Sequence, residues 1–381
     1  MYFIHCAFDR KRELPLYAVV FDSEEKDIDF YPLYLKSGKT KLYEVEQNFK
    51  TIKGILCDYK VVVSGFKDYV KCFKLNHLEK HQVYDAPGLP IRGVAEVVPM
   101  KKLLIEGLKK FLGCEALLWN KVLADSQFVY SHLETAGYWQ DKARNPTYEF
   151  AYTGRSKSIG DNIQGASTGA EIYSNNVRHD TFVCFDWIAA DLRAASILSQ
   201  DVQLKNSFIE SDPYTHLQQQ LASSEITRED CKLELFRSFY SINYENPILE
   251  IYPDFAKWMK ETSDKIEEQG YSESILNRKF TIEKERTKKS CFNAQVQGSV
   301  AHAMQNTIYR VFKAYPQNLM AEIHDSLVLS CPAKAVDEII QTVSKIMLKP
   351  FEGILQSSPT FPIKVLKGKK WKMWEEVAEF R

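Results

Sequence analysis

No stretch of roughly 18 consecutive apolar residues occurs in this 381-residue chain, so its pattern offers no helical membrane span. The first residues, Met1-Tyr2-Phe3-Ile4-His5, lack the basic segment and apolar stretch of a secretory leader, and a soluble, intracellular protein is expected. The eight cysteines (Cys6, Cys57, Cys72, Cys114, Cys184, Cys231, Cys291 and Cys331) stand singly with no CxxC pair, which argues for reduced core thiols and against a zinc or disulfide framework. Internal repeats and low-complexity tracts are missing too. Fifty acidic and fifty basic residues cancel, so no excess of either sign names a partner. What the chain does have is apolar material: 45% hydrophobic and 13% aromatic residues suffice for two or three packed units.

The charges are unevenly sorted. Acids gather at Asp22, Glu24, Glu25 and Asp27, whereas bases concentrate at Arg278, Lys279 and within residues 284–289 and 364–372. The C-terminal half therefore has the more phosphate-friendly surface, although each run alone also fits a solvated face. Residues 17–21 and 61–64 are predicted as short buried strands, with 56–59 and 83–85 weaker, so residues 1–100 read as a small α/β domain. Pro87, Gly88, Pro90 and Gly93 then break the pattern. Residues 100–137 have helical period, with Leu103, Leu104, Leu108, Phe111 and Leu112 on one side, and residues 101–150 read as a helical linker. Residues 145–176 are rich in Gly, Ser, Thr and Asn and read as loop. Residues 151–381 form the main unit.

Two apolar runs end on carboxylates: Phe182-Val-Cys-Phe-Asp186, and Ala321-Glu-Ile-His324-Asp325-Ser326, which continues as Leu327-Val-Leu. If the strands meet, the aspartates can hold divalent ions. Two metals about 3.5 to 4 Å apart serve phosphoryl or nucleotidyl transfer by neutralising charge on the attacking and leaving oxygens. Mg²⁺ keeps waters and substrate phosphates as ligands, so two aspartates can suffice. The structural alternatives are that Asp186 caps a following helix and that His324-Asp325-Ser326 is an ordinary hairpin turn.

Between these runs, Arg228, Lys232, Phe236 and Tyr240 recur at a step of four, which drifts about 40° per step around a helix and leaves them in one stripe. Such a stripe suits a nucleoside triphosphate: Arg228 and Lys232 for phosphate charge, Lys232 to protonate departing pyrophosphate, and Phe236 against sugar or base. The alternative is an amphipathic helix with its aromatics in the core, which Leu233, Leu235 and Phe239 allow.

These segments together resemble family A (polymerase I-like) DNA polymerases. Asp186-Trp-Ile-Ala-Ala-Asp191-Leu192-Arg193 resembles the family's first catalytic motif, Arg228-x3-Lys232-x3-Phe236-x3-Tyr240 its fingers helix, and His324-Asp325-Ser326 its second carboxylate motif. All three fall in the family's order. Thr153-Gly154-Arg155, Asn162-Ile163-Gln164, Asn293-x3-Gln297-Gly298 and Gly368-x2-Trp371 add matches, and the resemblance covers about residues 150–381.

The resemblance implies a right-hand architecture, α+β with a small α/β domain in front: an antiparallel palm sheet and helical fingers. It implies Asp186 and Asp325 as ligands of two Mg²⁺ ions and Lys232 as a catalytic group. Arg228, Phe236, Tyr240, Asp191 and His324 would meet the dNTP, and Arg155, Arg193, Asn293, Gln297 and Lys289 the primer-template DNA, in part through the minor groove. The location would then be the cytoplasm or wherever the replicated DNA resides. The sequence also departs from the family. Asp191 and Ser326 stand where Glu is usual, Ser241 for Gly, Ala189 for Gln and Lys289 for Arg, which bears on sugar selection and fidelity.

In the family a helical thumb of many tens of residues precedes the Thr-Gly-Arg segment. Here only residues 124–148 are left for it, so the thumb is expected to be missing or reduced. Phosphate contacts supply much of duplex affinity, and a partner protein or processivity factor is expected to replace that grip. The N-terminal unit faintly resembles a proofreading 3′-5′ exonuclease but lacks its Asp-x-Glu, so it reads as a degenerate relative or a docking domain. The alternatives to a polymerase are a non-catalytic DNA-binding scaffold of a replication complex and a metal-dependent nuclease.

Overall fold

The computed structural model describes residues 2–9, 14–22, 28–32, 50–52, 61–63, 83–85, 117–140, 142–174, 179–221, 226–282 and 286–381. The chain divides into two compact units, Met1–His132 and Leu133–Arg381.

The first unit contains a five-stranded sheet of β1 (Tyr2–Asp9), β2 (Leu14–Asp22), β3 (Ile28–Pro32), β4 (Val61–Val63) and β5 (Val83–Asp85), in the order β3-β2-β1-β4-β5. The first three strands pair antiparallel, while β4 and β5 add in parallel. The short Val-rich β4 fits an interior position in such a sheet. The strands predicted at 17–21 and 83–85 are present, and the one predicted at 61–64 is present over 61–63. The weaker strand at 56–59, the breaks from Pro87 to Gly93 and the helical positions Leu103 to Leu112 lie outside the described residues. Helix α1 (Leu117–Ala136) realises the later part of the predicted helix, and the division between the units falls within it.

The second unit is built on an antiparallel sheet. After β6 (Tyr138–Trp139), β7 (Ala143–Arg144), β8 (Pro146–Phe150), β9 (Ser156–Gly160) and β10 (Tyr173–Ser174) comes β11 (Thr181–Trp187). Five helices follow: α2 (Ala190–Ser199), α3 (Val202–Glu210), α4 (Pro213–Leu221), α5 (Arg228–Ser241) and α6 (Pro253–Gln269). Then come β12 (Tyr271–Glu273), β13 (Lys279–Thr281), α7 (Lys288–Ala314), β14 (Leu319–Ile323), β15 (Ser326–Cys331), α8 (Val336–Leu348), β16 (Ile363–Lys370) and β17 (Met373–Phe380). Strand order in the main sheet is β14-β15-β11-β16-β17, with every pair antiparallel. This mixed architecture of antiparallel sheet and helices is the one expected for the main unit.

Central β11 is buried along its whole length except at Asp186. Strand side chains alternate between faces. Phe182 and Cys184 enter a core with Ile163, Ile172, Val328 and Trp371, and Trp187 on the other parity donates its indole N–H to Met347 O of α8 at 3.0 Å. Burial on both faces explains why β11 reads as a continuous apolar run, and Asp186 is the residue of the Phe182 parity that emerges at its end. Residues 145–176, expected as loop, instead hold the β8–β9 hairpin, with alternating burial along both strands. Loop-like composition hid it because its outward positions are Thr147, Glu149 and Lys157.

The helices hold α5 from behind. Cys231, Leu235, Ser238 and Phe239 form its buried face, and Phe239 packs edge-on to Phe292 of α7 at 5.8 Å between centroids. Asp201 caps α3 through Leu204 N at 2.8 Å and also accepts from Phe255 N of α6 at 2.9 Å, which fastens two helices with one carboxylate. No helix among the described residues is long and apolar enough to cross a membrane.

Candidate active site

Asp186 lies opposite Ser326 on one side and Lys364 on the other. Asp325 is in the two-residue turn joining β14 to β15, between the paired Ile323 and Ser326. The preceding His324 is exposed and takes the left-handed conformation (φ 61°) that closes the turn. The chain reversal brings the carboxylate-bearing segments together: Trp187 N donates to Asp325 O at 3.3 Å. The hairpin turn is thus present, and it lies beside the end of β11 that carries Asp186. The capping alternative is not: α2 begins at left-handed Ala189 without a side-chain cap.

The two carboxyls share an electrostatic strain. Burial pushes Asp186 up to about 7, with a further contribution from the Asp325 charge, against relief from the Ser326 hydroxyl and Lys364. Burial also raises Asp325, opposed by its own backbone hydrogen bond, Arg155 and His324. Among the described residues no group of three or more His, Cys, Asp or Glu side chains assembles to hold a metal. The donor set at this place is the aspartate pair.

Asp191, in the first turn of α2, accepts a hydrogen bond from the Tyr240 hydroxyl. Burial raises Asp191, while Tyr240 and the Arg155 charge pull it back. Burial and Asp191 hold the Tyr240 phenol protonated, and Gln297 also hydrogen-bonds it. Phe236 stacks on Tyr240 at 5.5 Å with 9° between planes, and Tyr214 of α4 lies 5.9 Å from Phe236. The stripe is therefore real, and it is not the core face of α5: Phe236 and Tyr240 are half-buried, while Leu233, offered as a core residue, is 53% exposed.

Arg228 and Lys232 lie in the first turns of α5, which starts at a Thr227–Asp230 capping box. The Arg228 guanidinium faces Asp212, with Nε–Oδ2 and Nη2–Oδ1 both 3.3 Å, and covers the Tyr214 ring at 5.1 Å. Its Nη1 meets Glu229 Oε1 at 2.9 Å, and Lys232 Nζ lies 3.6 Å from Glu229 Oε2.

The other predicted residues are more dispersed. Arg155 follows Gly154, whose φ of +90° and close approach to Arg278 favour a residue without a side chain, and its charge reaches Asp191 and Asp325. Gln297 reaches Tyr240, and Asn293 carries a buried Oδ1 without a hydrogen-bond partner. Lys289 is exposed on the first turn of α7. Arg193 is engaged inside the unit: Nε donates to Thr360 O at 2.6 Å and the guanidinium covers Phe208 at 5.3 Å.

Sequence reasoning missed Tyr214, Asp212 and Glu322. Asp212 had a signal, since Asp before Pro213 is a helix-start pattern. It caps α4 through Tyr214 N and Thr215 N at 3.0 and 3.2 Å. Tyr214 has none in the sequence, yet its raised pKa, set first by burial, includes the charges of Asp212, Asp191 and Asp325. Glu322 is 2% exposed and accepts from Ser156 Oγ at 2.8 Å, while Gln164 Nε2 holds its backbone oxygen at 2.9 Å. This links the strand after Arg155 to the strand before Asp325.

Residues 239–373 match the family model described as DNA polymerase family A. The segment contains Tyr240, Asn293, Gln297, His324 and Asp325, with Asp186, Asp191, Arg228, Lys232 and Phe236 before it. A thermostable DNA polymerase I from Thermus thermophilus is 24% identical over 149 residues, covering 34% of this chain and 17% of that protein. The chain thus spans well under a quarter of that relative's length in the match. In fold, it resembles the POL domain of Pol1 from M. smegmatis, solved in complex with DNA primer-template and dNTP, at TM-score 0.68 and 12% identity over 98% of this chain and 96% of that one.

Proposed function

We propose that the chain is a DNA-directed DNA polymerase, adding deoxynucleotides to a primer 3′-hydroxyl with release of pyrophosphate. The observation that carries this reading is the aspartate pair at the end of the antiparallel sheet, where burial and then the Asp325 charge oppose ionisation of Asp186. A divalent cation would relieve that strain, and a pair of carboxylates suits Mg²⁺, whose remaining ligands come from water and substrate phosphates. Two Mg²⁺ ions held by Asp186 and Asp325 would supply neutralisation of charge on the attacking and leaving oxygens.

The protein's own groups complete the reading. Arg228 and Lys232 bind the triphosphate, and Lys232 is the proton donor to pyrophosphate. Phe236 packs against the sugar, and Tyr240 lies by the templating base. Asp191 acts as the gate against a ribose 2′-hydroxyl, and its bond to Tyr240 keeps that short side chain at the aromatic stripe. His324 adds a contact to the nucleotide. Arg155, Asn293, Gln297, Lys289 and Arg193 serve the primer-template. Among the described residues, only three short strands lie between α1 and β9, which supports a reduced thumb and a partner protein that supplies grip. The first strand, Tyr2–Asp9, has a single acid at its last position, which supports an exonuclease-inactive N-terminal unit.

Primer extension with Mg²⁺ tests the reading. The unaltered chain should extend short primers, with loss in Asp186→Ala and Asp325→Ala. DNA binding without extension would replace it with a scaffold, and degradation of labelled DNA without dNTPs with a nuclease. In the same assay, long products under substrate excess at physiological salt would remove the need for a partner, and strong preference for dNTPs over rNTPs would remove a loosened gate.

A further inference from the structure

We propose that Glu229 is a resident anion that occupies the polyphosphate place between Arg228 and Lys232, so that it selects for polyphosphates and hastens the departure of pyrophosphate. The proposal rests on the reading of these two cations as triphosphate contacts. Its basis is that one carboxylate spans both of them: Oε1 lies 2.9 Å from Arg228 Nη1 and Oε2 3.6 Å from Lys232 Nζ.

The second acid at this place behaves differently. Asp212 takes the Nε and Nη2 edge of Arg228, but it is anchored by its cap on α4 and by Thr215 Oγ1 at 2.8 Å, so it stays where it is. Glu229 has no such anchor among its contacts and is 66% exposed in its side chain, so it is the group an arriving ligand displaces. A pyrophosphate or triphosphate can take both cations at once and replace both Glu229 contacts. A single phosphate reaching one cation leaves the other contact in place and gains less. After displacement the nearby carboxylate repels the bound anion, which favours release. Exposed ion pairs are weak, so the exchange should weaken polyphosphate binding by about three- to tenfold.

Calorimetric titration of the whole chain with inorganic pyrophosphate at low ionic strength tests this, with Glu229→Gln compared with Glu261→Gln. The latter removes the same charge from α6, where Glu261 pairs with Lys257 at 3.9 Å. Expected are about three- to tenfold tighter pyrophosphate binding in Glu229→Gln, a smaller gain for orthophosphate, and no change in Glu261→Gln. An equal or weaker affinity in Glu229→Gln, or an equal gain in both variants, overturns the proposal. Primer extension separates the two levels of failure. Extension by a chain whose Glu229→Gln variant binds pyrophosphate no more tightly sinks the role of Glu229 alone. Absence of both extension and pyrophosphate binding sinks the polymerase reading and this proposal with it.

Discussion

Replacing Asp186 with Asn should stabilise the metal-free protein while it abolishes extension. The Asp186 carboxyl is raised from 3.8 to about 7, so the folded state binds its proton more tightly than the unfolded chain does. For an acid shifted this way, the stability cost is absent below the unfolded value. It grows as pH rises through the interval from 3.8 to about 7 and is complete above it. At 1.36 kcal/mol per pKa unit the full cost is at most about 4 kcal/mol. Asn keeps an oxygen that can accept from the Ser326 hydroxyl and carries no charge to desolvate. For a unit of this size, about 4 kcal/mol corresponds to roughly 10 °C in Tm. Thermal unfolding in a chelator should therefore show Asp186→Asn more stable than the unaltered chain at pH 8, with the two converging near pH 4. Added Mg²⁺ should raise the Tm of the unaltered chain more than that of the variant, by mass action on the folded state. A variant less stable at pH 8, or a difference that ignores pH, would refute the assigned strain.

The buried Glu322 gives a related expectation. Burial, then the Asp325 charge, raise its pKa well above the usual carboxylate value, so the neutral Glu322→Gln should be at least as stable as the unaltered chain at pH 7, with an advantage that grows as pH rises. Glu322→Ala should cost about 1–3 kcal/mol by removing the acceptor of the Ser156 hydroxyl; equal losses in the two variants by urea denaturation would defeat this. Gly298 in α7 is fixed by close approach, since a Cβ there would stand 2.3 Å from Cζ of fully buried Phe280. Ala gains about 1 kcal/mol in helix propensity, but overpacking costs about 1–3 kcal/mol. Gly298→Ala should therefore lower Tm, with partial recovery in Gly298→Ala/Phe280→Leu, and an unchanged Tm would show that the ring moves freely.

The legible parts of the site are those whose signal is local. β11 is buried on both faces and so appears as an unbroken apolar run ending on Asp186. The turn His324-Asp325 is framed by apolar β14 and β15. The step of four on α5 survives because a helix preserves it, and the neighbouring Cys231, Leu235 and Phe239 face takes the core role that would have competed for Phe236 and Tyr240. Tyr214 was illegible because its place is set by Arg228 and Phe236, distant in sequence. Glu322 was illegible because a buried acid inside an apolar strand looks like a break in the pattern until Ser156 and Gln164 are seen to meet it.

The charges at the site follow a single logic. Asp191 is bonded to Tyr240, Asp186 is relieved by Lys364 and Asp325 by Arg155, while Arg228 and Lys232 are held by Asp212 and Glu229. Each group proposed to meet metal or phosphate thus already has an internal counterpart. Binding of either is an exchange of partners, so the net gain of each contact is far smaller than its Coulomb energy in isolation. Mg²⁺ and a triphosphate arriving together change this balance. On the proposed reading the metal ions would satisfy the raised aspartates while the phosphates would replace Glu229, and the two exchanges would relieve opposite charges at one place. Binding of metal and nucleotide should therefore be cooperative, each tightening the other by the same factor, and the resting charge pattern requires no structural change to produce it.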